Sequence, residues 1–333
     1  MFARVRRGSV LQLFGLAAVA AVITSLAATL IGWLPSPASK EAERIQFVYW
    51  FTTVIAIVVF AAVVAVLAYS VIHFRARPDD DSDGPPTHGH TTLEIVWTAI
   101  PAVLVTAIAI VSAVVLAQNG NAGHDPLVVK VTAQQFAWEF TYPNGKTYGS
   151  LTVPKGRHVK LEITAKDVIH SFWVPQFSQK QDAVPGQTNS LVITPTHLGT
   201  FPVICTELCG LGHALMRSHA DVVTPAKFTS FMKNGASAGP PGLAVFNQNG
   251  CSSCHTFKPA NATGKVGPDL DDLKASAAKA NRGPLDKFIE ESIVDPAAYI
   301  APGYSDLMPH IFKEQIPPDQ LQQLVHYLSQ GAK

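Results

Sequence analysis

Three long apolar stretches fill the first third of this chain and dictate where everything after them can lie. The second, about Gln46 to His73, lacks charge, and the third, about Leu93 to Ala117, carries Glu94 at its start and Pro101 inside. Each is long enough to span the hydrocarbon core of a bilayer. The first, about Val10 to Leu34, follows Arg4, Arg6 and Arg7. A basic run before an apolar one is a secretory signal, yet this one is long enough to remain as a membrane helix, and no convincing small-x-small cleavage site follows. Both readings stay open for residues 1–44, while residues 45–119 are expected to form a transmembrane helical hairpin. Arg75 and Arg77 follow the second stretch, so both basic clusters are expected to face the cytoplasm. Asp79 to Asp81 in the same loop count weakly in that rule. Everything after about residue 118 is then expected on the outer, periplasmic face of a bacterial inner membrane, in an oxidising compartment.

Charge adds little. The formal net charge is +1 with 15% charged residues, which points to no nucleic acid or other highly charged polymer. The four cysteines are more informative, because they fall into two close pairs, Cys205/Cys209 and Cys251/Cys254. Two disulfides would be the plain reading for an exported protein. The residues around each pair point to metal and haem instead.

From residue 120 to 230 the pattern becomes short and β-rich. Residues 127–132, 158–164 and 190–194 read as strands, and Pro-Asn-Gly at 143–145, Pro-Lys-Gly at 154–156 and Pro-Gly at 185–186 supply turns. A compact all-β sandwich or barrel is expected. Within it, Cys205, Cys209, His213 and Met216 fall inside twelve residues rich in glycine. Soft sulfur with imidazole is a ligand set that favours copper. Two cysteines in one loop can bridge a pair of ions, each of which then needs one further nitrogen. His213 supplies one, and His170, in Asp167-Val-Ile-His-Ser-Phe-Trp-Val-Pro175, is well placed on a neighbouring strand to supply the other. His158, His197 and His219 lack such a setting and read as surface or structural histidines, and His88 and His90 as solvated loop residues.

These residues, with the His170-Ser-Phe-Trp-Val-Pro175 and Gln181-Asp-Ala-Val-Pro-Gly186 segments, resemble the CuA domain of cytochrome oxidase subunit II. The resemblance implies a cupredoxin-like barrel and a dinuclear copper centre bridged by both cysteines. It also implies ligation by His170, His213, Met216 and the backbone carbonyl of Glu207, whose side chain would serve a magnesium site shared with subunit I. Glu94, in Leu93-Glu-Ile-Val-Trp-Thr-Ala-Ile-Pro101, matches the segment where the family's proton path into subunit I begins; the rival reading is an interfacial carboxylate ending a helix. Phe136 and Trp138 match the family's electron-transfer aromatics, although the family usually carries tryptophan at the position of Phe136. Gln187 replaces an arginine common in parts of the family and receives no role.

A small-residue linker, residues 231–241, separates this domain from residues 242–333. There Cys251-Ser-Ser-Cys-His255 has the spacing of covalent haem attachment, with a redox dithiol as the alternative. Of four methionines, Met1 is the initiator, Met216 belongs with the copper set and Met232 falls at the entry to the linker, which leaves Met308 as the second axial ligand. A thioether opposite histidine raises the haem potential. His310 is its rival. A short helix bearing Phe246, the Gly267-Pro-Asp-Leu270 segment and a final helix, about Pro318 to Gln330, resemble an all-α class I cytochrome c. That resemblance implies that the carbonyl of Pro268 holds the free N–H of His255 and that Tyr327 sits near the first helix.

Neither centre has an open position for substrate, and no triad or carboxylate pair asks for a hydrolytic role, so no catalytic residue is assigned to this chain. The whole resembles subunit II of a proton-pumping caa-type haem–copper oxidase. Electrons would pass from haem c through dinuclear copper to the haems of subunit I, with subunit III as a further partner and a cytochrome c or cytochrome bc complex upstream. A CuA-bearing nitric oxide reductase, a copper-delivery protein and a free-standing electron shuttle are the alternatives; a quinol oxidase subunit would lack the copper cysteines.

Overall fold

A computed structural model describes residues 7–75, 88–234, 241–310 and 312–332. Arg4, Arg6, Arg77, Asp79 to Asp81 and linker residues 235–240 lie outside the described residues. Three helices correspond to the apolar stretches: α1 (Arg7–Leu30), α2 (Lys40–His73) and α3 (Thr91–Asn119), all long and apolar enough to cross a membrane. Their large apolar side chains, among them Phe14, Val58, Leu67, Val103 and Leu116, point outward. Several threonine hydroxyls on these helices are satisfied internally, as suits a hydrocarbon setting: Thr24 donates to the Ala20 carbonyl, Thr53 to Tyr49 and Thr106 to Ala102, at 2.7–2.8 Å.

Residues 37–42 belong with the β domain instead. The Ala38 N–H donates to the Gln176 carbonyl and the Thr196 N–H to that of Ala38, both at 2.8 Å. The buried Glu41 carboxylate accepts from the backbone N–H and the hydroxyl of Thr194 at 2.7 and 2.8 Å.

The β domain contains strands β1 (Leu127–Gln134), β2 (Ala137–Thr141), β3 (Thr147–Tyr148), β4 (Leu151–Pro154), β5 (Val159–Ala165), β6 (His170–Val174), β7 (Gln179–Ala183), β8 (Asn189–Ile193), β9 (Gly199–Cys205) and β10 (Arg217–Val223). They form two five-stranded sheets ordered β3-β2-β1-β5-β8 and β4-β10-β9-β6-β7. Alternation decides which face is inside: along β5, Val159, Leu161, Ile163 and Ala165 are buried while Lys160, Glu162 and Thr164 are partly exposed. The inward faces interleave around Trp138, Phe140 and Phe172. Gly145, Gly156 and Gly186 carry φ of 77°, 84° and 74°, the left-handed conformation expected of their turns. Tyr142 links two strands through its hydroxyl, which donates to the Thr152 carbonyl and accepts from the Thr152 N–H.

Helix α4 (Pro225–Asn234) closes this sandwich, setting Phe228 and Phe231 against Tyr142. It runs through residues 231–234, which the sequence reading gives to the linker.

The C-terminal domain contains α5 (Pro241–Gln248), α6 (Cys251–Cys254), the short strands β11 (Thr256–Phe257) and β12 (Ala262–Thr263), then α7 (Leu273–Ala280), α8 (Leu285–Val294), α9 (Phe312–Gln315) and α10 (Pro318–Gly331). Helices α5 and α10 cross where Gly242 leaves room: a Cβ there would stand 2.2 Å from the Gln323 carbonyl oxygen and 2.3 Å from the Tyr327 Cβ. Leu321, Leu324, Val325 and Leu328 of α10 are buried, as their helical spacing predicts. The fold is therefore helical at the N-terminus, cupredoxin-like in the middle and helical again at the C-terminus.

Candidate metal and haem centres

The loop between β9 and β10 gathers the sulfur ligands. Cys205 ends β9, the glycines at 210 and 212 turn the chain back, and Met216 precedes β10. Opposite, His170 begins β6, whose pairing with β9 places the two strands side by side. Cys205 Sγ lies 3.9 Å from Cys209 Sγ, 3.8 Å from His170 Nδ1 and 3.4 Å from the Glu207 carbonyl oxygen. Cys209 Sγ lies 3.5 Å from His213 Nδ1 and 3.9 Å from Met216 Sδ. A thiol separation of 3.9 Å is far beyond the S–S bond length of about 2.05 Å, so the pair is not a disulfide. Two sulfurs at that separation, each with its own imidazole, form a donor set suited to a bridged pair of soft ions.

The electrostatics treat the two thiols differently. Burial pushes the Cys205 thiol up, but hydrogen bonds from His170 and from backbone N–H groups outweigh it and bring the thiol below its ordinary value. Burial and the neighbouring Cys205 charge hold Cys209 high, so metal must displace its proton. His170 is wholly buried, with Nε2 2.9 Å from Asp167 Oδ1 and Nδ1 turned toward Cys205, so the ring is held between the carboxylate and the thiol. Burial disfavours its charged form, yet the hydrogen bonds to Cys205 and Asp167 raise its pKa overall. Asp167 is fixed in turn by the Gln135 and Val168 N–H groups, each at 2.7 Å. Neither Asp167 nor Gln135 carried a role in the sequence reading; the Asp-x-x-His spacing was the signal for the first, and the second shows only once β1 and the copper loop meet.

Trp138 is buried edge-on to Phe172 and to His170, with ring centroids 5.5 and 6.3 Å away. Phe136 is partly buried and packs against the same core. The Glu207 side chain is exposed. Glu94 is also exposed, and its carboxylate accepts from the His90 N–H at 3.2 Å in the first turn of α3.

In the C-terminal domain Cys251, Cys254, His255 and Met308 line one apolar cavity, closed by Phe288, Leu324 and Leu328 among others. His255 Nδ1 lies 2.8 Å from the Pro268 carbonyl, which can only accept, so Nε2 is left with a lone pair. Burial lowers the His255 pKa, favouring the neutral imidazole that binds iron. A Cβ at Gly267 would stand 2.4 Å from the His255 ring, so glycine there is a condition of the histidine's position. Burial pushes Cys251 up to about 12 and raises Cys254 as well. A redox dithiol depends on a lowered thiol pKa, which these two do not have. His310 does not line the cavity; its Nε2 bonds Asp306 at 2.8 Å. His219 pairs with Asp221, and His158 contacts the Thr194 hydroxyl, both structural settings. The donor set and the apolar cradle both fit haem.

Comparison with known proteins identifies the domains that carry these two sites. Family profiles match residues 27–115 as the transmembrane domain of cytochrome C oxidase subunit II, 146–223 as its periplasmic domain and 241–332 as cytochrome c. The cytochrome c oxidase subunit 2 of Synechocystis sp. is 35% identical over 262 residues, covering 64% of this chain and 79% of its own length. The chain belongs to the cytochrome c oxidase subunit 2 family. The subunit 2 of Thermostichus vulcanus is 34% identical, covering 63% of this chain and 81% of that protein. That of Alkalihalophilus pseudofirmus is 32% identical, covering 76% and 78% respectively. This cytochrome c oxidase subunit II carries a fused cytochrome c domain, and its two domain types imply CuA copper and haem. As subunit II it is part of a haem–copper oxidase, with subunit I as partner.

Proposed function

We propose that this subunit II carries electrons from a haem c covalently held by its own C-terminal domain, through a dinuclear copper centre, to the redox centres of subunit I. Residues 45–119 would anchor it as a membrane hairpin, 120–230 hold copper and 242–333 hold haem, joined by the 231–241 linker. Both soluble domains would lie on the periplasmic face of the bacterial inner membrane. The observation that carries this reading is the copper-loop geometry: two thiols 3.9 Å apart, each with an imidazole nitrogen within 3.8 Å.

Cys205 and Cys209 would bridge the coppers, with His170 and His213 at the two ends and Met216 and the Glu207 carbonyl completing the set. Copper in that arrangement supplies reversible one-electron chemistry. Asp167 fixes the His170 ring, and the surrounding β core keeps water from the thiolates. Cys251 and Cys254 would anchor the porphyrin, with His255 and Met308 on the two faces of the iron. A bound thioether on the second face leaves no site for oxygen, so oxygen would be reduced in subunit I.

Glu207 would share a magnesium ion with subunit I, and Glu94 would stand at the entrance of a proton path, its bond to the His90 N–H being compatible with a plain helix cap. Phe136 and Trp138 would lie on the electron route. Subunit III and an upstream cytochrome c or cytochrome bc complex complete the proposed setting. A copper-delivery protein needs only one transient ion, and the convergence of His213 and Met216 on Cys209 speaks against it.

Metal analysis and EPR of the matured, copper-loaded protein test the reading. Two coppers and one iron per chain, with hyperfine splitting shared over two copper nuclei, are expected; a single copper with a mononuclear spectrum would overturn it.

A further inference from the structure

The three residues Gln135, Phe136 and Ala137 join β1 to β2 and touch both sites. On the copper side, the Gln135 side-chain amide donates to the Cys209 carbonyl and its backbone N–H donates to Asp167, the partner of His170. The Phe136 ring lies over Gly210 and Gly212 of the copper loop; a Cβ at Gly212 would stand 2.5 Å from it. On the other side, Phe136 lines the haem-motif cavity together with Leu215 and Cys251. Ala137, buried at the start of β2, meets Gly250, the residue directly before Cys251. A Cβ at Gly250 would lie 3.2 Å from the Ala137 Cβ and 3.5 Å from the Phe136 carbonyl oxygen. Gly250 also has φ 68°, which disfavours any side chain there. Helix α5 lies along β2 and β3, so this contact is one point of a longer seam.

We propose that Ala137 and Gly250 form a seat for the haem-attachment turn, and that residues 135–137 are the fixed bridge from that turn to Cys209. The proposal rests on the electron-carrying function above and adds that the haem domain delivers its electron from one docked position rather than by tethered diffusion. One electron leaves the iron held by His255, raising it from ferrous to ferric, and reduces the copper pair by one; no bond is made or broken and no proton moves. Tunnelling falls exponentially with separation, so the small size of both residues sets the rate. Ala137 and Gly250 are positioning residues.

The test uses the full chain loaded with haem and copper. Three readouts apply: the optical and EPR spectra of each centre, the haem-to-copper separation from pulsed-EPR relaxation, and the rate of haem oxidation with copper reduction after photo-initiated electron injection. Ala137→Tyr is expected to leave both spectra unchanged, lengthen and broaden the separation, and slow internal transfer about tenfold or more. A second variant lengthens the linker with about ten Gly/Ser residues and leaves the seat untouched. A docked domain keeps its wild-type rate, whereas a diffusing one slows as its effective concentration falls. Slowing on linker extension, or an unchanged rate and separation in Ala137→Tyr, would overturn the seat. A wild-type chain that shows both spectra but no internal transfer would instead overturn the function on which it rests.

Discussion

The β domain and the C-terminal domain build their sites from opposite directions. In the sandwich, the pairing of β6 with β9 and the loop that follows β9 bring His170, Cys205 and Cys209 together, and the core beneath them, Trp138 to Phe172, is filled by side chains. In the C-terminal domain the apolar residues face inward on a shared cavity, and His255 and Met308 reach it from distant segments. The copper ligands thus sit at one end of a core filled mainly by other side chains, while the haem ligands belong to a core whose centre is the site itself. A metal site can be an attachment to a fold or its organising element.

The sharpest break in that comparison comes from Cys251→Ser with Cys254→Ser. Without covalent attachment the C-terminal domain is expected to lose cooperative folding, a loss of at least about 5 kcal/mol, the full stability of a small domain. Circular dichroism and protease sensitivity after Asn234 would report it, with the sandwich left intact. Next in size, Phe246→Ala and Phe172→Ala should each cost about 3–5 kcal/mol by opening a cavity. Denaturant melts of the holo chain should show the first in the helical transition and the second in the β transition; a shared transition would erase the distinction. Cys209→Ser should abolish the dinuclear copper spectrum yet destabilise the sandwich by only about 1–3 kcal/mol, because the scaffold stands alone. Unfolding of the sandwich in this variant would break the comparison.

The smallest effect sharpens it. Asp221 is partly buried; burial pushes its pKa up, but hydrogen bonds from His219 and the Thr200 hydroxyl, with charge from His219 and Lys227, hold it below the ordinary carboxylate value. A depressed folded pKa gives stability that is present above the unfolded value, about 3.9, and lost as pH falls through the folded one. Asp221→Asn should remove that part of the acid-limb slope, below about 1 kcal/mol, read from thermal melts between pH 5 and pH 2.

What the sequence disclosed follows from the same contrast. Ligands close together in the chain, Cys205 to Met216 and Cys251 to His255, declare themselves by spacing, and the alternation along β1 and β5 gives the sandwich. His170 was reachable because copper chemistry demanded a second nitrogen. Strands β4, β6 and β7 do not alternate cleanly between buried and exposed positions, and only their pairing in the sheet makes them strands. Helix α4 was missed although Phe228 and Phe231 stand at helical spacing, because a ten-residue helix depends on tertiary contacts. Gln135 and Gly250 gave no local sign, since their importance lies in what approaches them from elsewhere.

The crossing of α5 and α10 governs the order in which this chain can be finished. Gly242 opens the C-terminal domain, and its partner residues Gln323 and Tyr327 lie some eighty residues further along the chain. The domain cannot close around its core until α10 has been made, while Cys251 and Cys254 precede Gln323 and Tyr327 by some seventy residues, roughly four to fourteen seconds of synthesis at about 5–20 residues per second. Haem can therefore be joined to an open chain, and the last helix then acts as the latch that seals it in.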